Sequence, residues 1–199
     1  MAVEAVVFDF GYTLVNEDRV WSAIAGQYGV PTSDFFAVLG AVIERRQDHL
    51  ATFDILDAKG PVTRVPFAAE DFYEDAIEAV ADVRRSGRRV GVAGNFGEDV
   101  AAFLRGNLDV DFVASSEAWG VRKPDGAFFA RVSEAAQCPP QDVMYVGDRI
   151  DNDVVPALSA GMQAVFVVRG PWAHVQKGWL EARGRSATVV HDLRSLFPL

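Results

Sequence analysis

The sequence predicts an α/β protein: a Rossmann-like, mostly parallel sheet with helices on both faces, plus a small helical insertion after the first strand. Three observations predict it. Short β-branched or aromatic runs recur at 5–9, 89–93, 112–115, 143–146, 164–168 and 188–190. Helix-period stretches fall between several of them, at about 72–85, 125–137 and 153–160, and such alternation builds a parallel sheet covered on both sides. Residues 16–72 break the alternation with helical patterns and no strong strand. The expected division is therefore a core of 1–15 and 73–199 and a helical insertion of 16–72.

The first run, Ala5-Val6-Val7-Phe8, is apolar and short enough for a buried strand, and Asp9 ends it. A carboxylate in that place is costly unless something uses it. Open α/β sheets place their ligands at the carboxyl ends of strands. Within the insertion, Val20, Ile24 and Tyr28 mark one helix. Thr32-Ser33-Asp34 offers a cap for a second, with Phe35, Leu39, Val42, Ile43 and Leu50 near one face. Trp21 and Phe35-Phe36 are expected to pack the insertion's own core, and Lys59-Gly60-Pro61 marks a loop. In the helix at about 72–85, Tyr73, Ile77, Val80 and Val83 share a face; in that at 125–137, Phe128, Phe129, Val132 and Ala136 do. Gly87 and Gly161 sit where helix C-caps belong. Pro171-Trp172 and Trp179 fall in a more irregular C-terminal region, expected to cover a sheet edge or an oligomer contact.

Half of the 199 residues are apolar, enough for a sizeable core, and the net charge is −9. That charge argues against general nucleic-acid binding, which needs a basic face. Cys138 is the only cysteine, so no intrachain disulfide forms. No apolar run reaches the roughly 18 residues of a membrane span. The N-terminus enters a strand with no signal-peptide pattern. A cytoplasmic protein without nucleic-acid or membrane partners is expected.

Four landmarks carry chemistry: Asp9-Phe10-Gly11-Tyr12-Thr13; Val92-Ala93-Gly94-Asn95; Trp119-Gly120-Val121-Arg122-Lys123-Pro124; and Gly147-Asp148-Arg149-Ile150-Asp151-Asn152-Asp153. Such a set can make a phosphoryl-transfer site. A carboxylate can attack phosphorus to form an acyl phosphate, splitting one hard step into two. Asp9, Asp148 and Asp153 facing one point would repel one another unless a cation sat among them, and an all-oxygen site suits Mg²⁺. Lys123 would neutralise the nucleophile and the transferring group. Backbone N–H groups around Gly11–Tyr12 and Gly94–Asn95 can hold phosphate oxygens, the glycines permitting close approach. Thr13 either orients the nucleophile loop or bonds local backbone, and Asn95 either binds phosphate or shapes its loop. Asp151 and Asn152 are as well placed to cap a helix as to touch a metal.

In order and spacing these motifs resemble the haloacid dehalogenase-like hydrolase superfamily, most of whose members are Mg²⁺-dependent phosphatases. The resemblance runs from Val3 to about Val168, and 16–72 looks like the helical cap of those enzymes. It implies that Asp9 is nucleophile and metal ligand, that the Gly11 carbonyl and Asp148 are further ligands, that Asp153 supports the metal, and that Lys123 is the third-motif lysine. A small phosphorylated metabolite is the implied substrate.

Two positions depart from the family pattern. Its phosphatases usually carry an acid/base Asp where this chain has Gly11, and a Ser or Thr where it has Gly94. General acid–base help is worth about 10²–10⁴ in rate, and a placed oxyanion donor about 10²–10³. Three readings accommodate this. A phosphatase can favour good leaving groups or draw its proton from the cap, where Glu44 and His49 are candidates. A catalytically weak binding or regulatory module can keep the fold. Asp9 can attack carbon, as in the dehalogenases of the superfamily, in which case Asp148 and Asp153 are unwelcome charge.

Overall fold

The computed structural model describes residues 3–179 and 187–196. Six strands, β1 (Ala5–Phe8), β2 (Arg89–Gly94), β3 (Phe112–Ser115), β4 (Val143–Gly147), β5 (Gln163–Val167) and β6 (Thr188–Val190), form one sheet in the order β3-β2-β1-β4-β5-β6. Every pairing is parallel, with β1 flanked by β2 and β4. The sheet and its helices match the predicted α/β class.

Side-chain alternation divides the core into two faces. Val6 and Phe8 of β1, with Val90, Val92, Met144 and Val146, pack on one side against α4 (Glu74–Arg85) and α5 (Glu98–Asn107). Ala5 and Val7, with Val143, Tyr145 and Phe166, pack on the other against α7 (Gly126–Ala136) and α8 (Val155–Ser159). Acidic Glu74 and Asp75 open α4 and Arg84 and Arg85 close it, which complements the helix dipole.

Between β1 and α4 lie three helices, α1 (Asp18–Gln27), α2 (Thr32–Glu44) and α3 (Ala51–Ile55). They make their own apolar cluster from Ala25, Phe35, Leu39 and Ile43, with Trp21 stacked on Phe35 at a ring distance of 5.7 Å. Tyr12, Trp172 and Trp179 belong to the same cluster. The return segment is tied down by polar contacts. Gln27 and Thr63 exchange bonds of 2.8 and 2.6 Å, and the Arg19 guanidinium grips the buried Asp71 at 2.7 and 2.5 Å.

Several expectations are corrected. Ile77 is 51% exposed. The inward stripe of α4 is Ala76, Ala79, Val80 and Val83, whose alanines let the helix lie close to the sheet. Leu50 is 59% exposed, off the α2 face it was expected to share. Thr32-Ser33-Asp34 makes no side-chain cap, because the helix already begins at Thr32 behind Pro31. The helix expected at 153–160 is present as α8, but a π-helical turn, Ile150–Val154, leads into it. Helix α5 was unassigned in the sequence, and Pro171-Trp172 lies in helix α9 (Gly170–Gln176), not an irregular stretch. Trp172 and Trp179 face the inserted helices, not a sheet edge.

Candidate active site

Asp9 follows the last residue of β1, Gly94 is the last of β2, and Asp148 follows the last of β4, so adjacent strands deliver them to one end of the sheet. The Asp9 amide donates to Val146 O at 2.8 Å, locking this end of β1 onto β4. Lys123 arrives from the loop between α6 (Ser116–Trp119) and α7, whose first turn is capped by Asp125 accepting from the Ala127 amide. Asp153 comes from the π-helical turn.

The Lys123 ammonium, 1% exposed, donates to Asp9 Oδ1 and to Asp153 Oδ1, both at 2.6 Å. Burial opposes its charge, but Asp153 and Asp9 outweigh that and hold the ammonium well above the usual lysine range. The second oxygen of Asp153 accepts from the Arg149 amide at 3.0 Å. Asp148 is different: its Oδ2 is buried without a hydrogen-bond partner among the described residues. Burial, then the charges of Asp153 and Asp9, drive its carboxyl well above the normal carboxylate range. One carboxylate oxygen from each of Asp9, Asp148 and Asp153 lies within 4.8 Å of the others. An orphaned buried oxygen inside an all-oxygen acidic cluster is what a hard divalent cation relieves, so the residues present fit Mg²⁺.

These groups border a cavity of about 530 Å³. Asp9, Gly11, Tyr12, Asn95, Lys123 and Asp148 line it, whereas Gly94 and Asp153 lie behind the lining. Trp21 and His49 from the insertion, with Arg122, Arg149 and Trp172 from the core, form other walls.

Tyr12 takes a role other than the one expected, and Asn95 the second of the two considered for it. The Tyr12 amide donates to Val15 O at 2.7 Å and is engaged in its own turn, so the expectation that it binds phosphate does not hold in this conformation. Tyr12 instead adopts a left-handed φ of 50° and sends its hydroxyl to Asp18 Oδ1 at 2.9 Å. Asn95 spends both side-chain polar atoms on Lys123: Oδ1 accepts from its amide at 2.8 Å and Nδ2 donates to its carbonyl at 3.0 Å. That favours loop shaping over phosphate contact. Asp151 caps nothing: it pairs with the Arg149 guanidinium at 3.1 and 3.0 Å and accepts from Gln176 Nε2 at 2.9 Å. The Thr13 hydroxyl is buried and makes no hydrogen bond among the described residues.

The glycine departures have structural counterparts. A methyl at Gly94 would lie 2.7 Å from Asp9 Oδ1 and 2.9 Å from the Phe96 ring, so bare backbone accommodates the Asp9 carboxylate. A methyl at Gly11 would lie 2.7 Å from the Glu17 carboxylate. Glu17 lines the cavity, yet sequence reasoning passed over it. Burial pushes its carboxyl up to about 7; the bond from Trp21 opposes this, and the charges of Asp9 and Asp18 add to it. The available signal was an acid just before the first inserted helix. Of the two residues considered instead, Glu44 is exposed and absent from the cavity lining, while His49 lines it.

Comparison with known proteins matches this fold. A family model described as HAD-hydrolase-like matches residues 120–196. The glyceraldehyde 3-phosphate phosphatase of Methanothermobacter thermautotrophicus is 25% identical over 200 residues, 96% of this chain and 85% of that protein. Among solved structures, a HAD phosphatase from Thermococcus onnurineus superposes with a TM-score of 0.63 at 21% identity, covering 98% of this chain and 96% of that one. An L-2-haloacid dehalogenase superposes with a TM-score of 0.70 at 17% identity, covering 98% of this chain and 97% of that one. The two structures share the fold with this chain.

Proposed function

Since the chain belongs to the haloacid dehalogenase-like hydrolase superfamily, we propose that it is a Mg²⁺-dependent phosphatase acting on a small phosphorylated metabolite through an aspartyl phosphate on Asp9. The observation that carries this reading is the contrast between Asp9, already neutralised by Lys123 at 2.6 Å, and Asp148, left with an orphaned buried oxygen. Asp9, Asp148 and the Gly11 carbonyl would hold the cation, with Asp153 behind them. When bound, Mg²⁺ supplies positive charge to the phosphate and to the crowded carboxylates. Asp9 attacks phosphorus with the carboxylate that Lys123 orients. The Lys123 ammonium, held charged, stabilises the phosphoryl group in transfer. Residues 16–72 act as the cap, closing the cavity with Trp21 and His49.

The match to an archaeal glyceraldehyde 3-phosphate phosphatase supports a substrate of that size, and a cavity of about 530 Å³ has room for it. A carbon-attacking dehalogenase is disfavoured by the same cluster. Three carboxylates sharing one point with no cation would repel a haloacid anion. A screen of phosphate esters with Mg²⁺ and with EDTA, run beside Asp9→Asn, tests the reading. Mg²⁺-dependent phosphate release that the variant lacks is expected. Equal inactivity of both proteins on every ester would overturn it, and EDTA-resistant halide release from 2-haloacids would replace it with the dehalogenase reading.

A further inference from the structure

The side chain missing at Gly11 leaves a gap beside the nucleophile, and the structure fills that gap with a carboxylate from elsewhere. Glu17 stands six residues further on, just before α1. Between them the chain turns back through the left-handed Tyr12, and Gly11 and Val15 pair as a bridge. The result puts the Glu17 carboxylate where a side chain on residue 11 would begin, 2.7 Å from the place of its Cβ. Both residues line the same cavity as Asp9. Trp21 Nε1 donates to Glu17 Oε2 at 3.3 Å and orients the group. Among the described residues Oε1 accepts no hydrogen bond, so one carboxyl oxygen is uncommitted.

We propose, resting on the phosphatase reading above, that Glu17 is the general acid/base of this site, touching the leaving-group oxygen from the position that Gly11 vacates. In the first step an Asp9 carboxylate oxygen bonds to phosphorus and the bond from phosphorus to the ester oxygen breaks. The Glu17 carboxyl proton passes to that oxygen, which leaves as the alcohol. In the second step the Glu17 carboxylate takes a proton from water, the hydroxide bonds to phosphorus, and the acyl phosphate bond breaks to give inorganic phosphate and the Asp9 carboxylate. Glu17 ends as it began. Gly11 is then the space that lets Glu17 reach the substrate, not a lost function.

The test uses the full chain with Mg²⁺ and two aryl esters, p-nitrophenyl phosphate, whose leaving group departs without a proton, and phenyl phosphate, whose leaving group is helped by one. Wild type, Asp9→Asn, Glu17→Gln and His49→Asn are compared, with beryllium fluoride binding as the check that the site is formed in the three proteins that keep Asp9. For Glu17→Gln, kcat/KM is expected to fall by about 10²–10⁴ with phenyl phosphate and by less than about 10-fold with p-nitrophenyl phosphate. Its kcat is expected to fall with both, preceded by a burst of p-nitrophenol as the acyl phosphate accumulates. Equal falls in kcat/KM for the two esters, or a burst and ester discrimination in His49→Asn in place of Glu17→Gln, overturn the assignment while leaving the phosphatase reading intact. A wild type no faster than Asp9→Asn on either ester overturns both.

Discussion

Asn95 clasps the Lys123 peptide from both sides, its Oδ1 accepting from the amide at 2.8 Å and its Nδ2 donating to the carbonyl at 3.0 Å. The loop that carries the buried ammonium is thereby fastened to the end of β2, two strands away from the turn that carries Asp153. Asn95→Ala removes both bonds. The lysine then loses its register against Asp9, and a displacement of about 1 Å in such a group can cost around 10²-fold in rate. A fall in kcat of about 10- to 100-fold with little change in thermal midpoint is expected in steady-state assays and melting curves. An unaltered kcat would mean that the clasp does not position the lysine.

Lys123→Met leaves Asp9 and Asp153 buried without their shared cation. Removing one member of a buried charged cluster costs about 3–5 kcal/mol. Urea denaturation should show that loss in the absence of Mg²⁺. Added Mg²⁺ should restore part of it, because the cation relieves the same carboxylates. Activity should be absent under both conditions. A variant as stable as wild type in EDTA would contradict the geometry.

Asp148 provides the sharpest metal test, because its unpartnered oxygen has no other role among the described residues. A ligand that binds only the folded state at about 100 times its dissociation constant stabilises by about 2.7 kcal/mol. Wild type should therefore gain a few degrees in thermal midpoint on Mg²⁺ addition. Asp148→Asn should gain little from Mg²⁺, yet in EDTA it should be at least as stable as wild type, since one of three crowded charges is gone.

The acid limb of stability should trace to Asp75. Its carboxylate accepts from both guanidinium nitrogens of Arg169, at 3.0 and 2.5 Å, and from the Leu193 amide at 2.7 Å. Burial opposes its charge, but these bonds prevail and hold its carboxyl below the usual carboxylate range. A depressed folded-state value contributes stability above the unfolded value of about 4, and that contribution is lost as pH falls through the lower folded one. Asp75→Asn should be less stable than wild type near neutrality, and the gap should shrink in urea melts at progressively lower pH. A gap that is constant with pH would argue that the residue acts through packing alone.

The sheet was legible because its strands are short and its central ones, β1 and β4, are buried along their whole length, so apolar runs such as Ala5-Val6-Val7-Phe8 read as strand. Asp9 and Asp148 were legible because each directly follows such a run, whereas Lys123, in a loop between two helices, and Asp153, in a helical turn, stood out only through their motifs. Ile77 was misplaced because periodicity sees large apolar residues, whereas the seam of α4 is built from Ala76 and Ala79. Helix α9 was missed because its three buried residues serve three partners, Trp172 the inserted helices, Ala173 the sheet-face core and Gln176 the Ile150 turn, and no local pattern encodes that mixture. Glu17 was missed for a related reason. Its nearness to Gly11 exists only after the chain has doubled back through Tyr12, a fold-level contact that spacing along the sequence does not reveal.

The aromatic cluster under the inserted helices has a mechanical consequence. Tyr12 from the catalytic loop and Trp172 and Trp179 from the C-terminal region share one buried nucleus with Phe35, Leu39 and Ile43. Gly170 lies so close to the Tyr12 ring that a methyl there would approach it to 2.4 Å. Swinging the insertion away as a rigid door would uncover all of these rings at once and drag the catalytic loop with it. The insertion and the catalytic loop are thus one packed unit, and a shift of either is felt by the rings of the other.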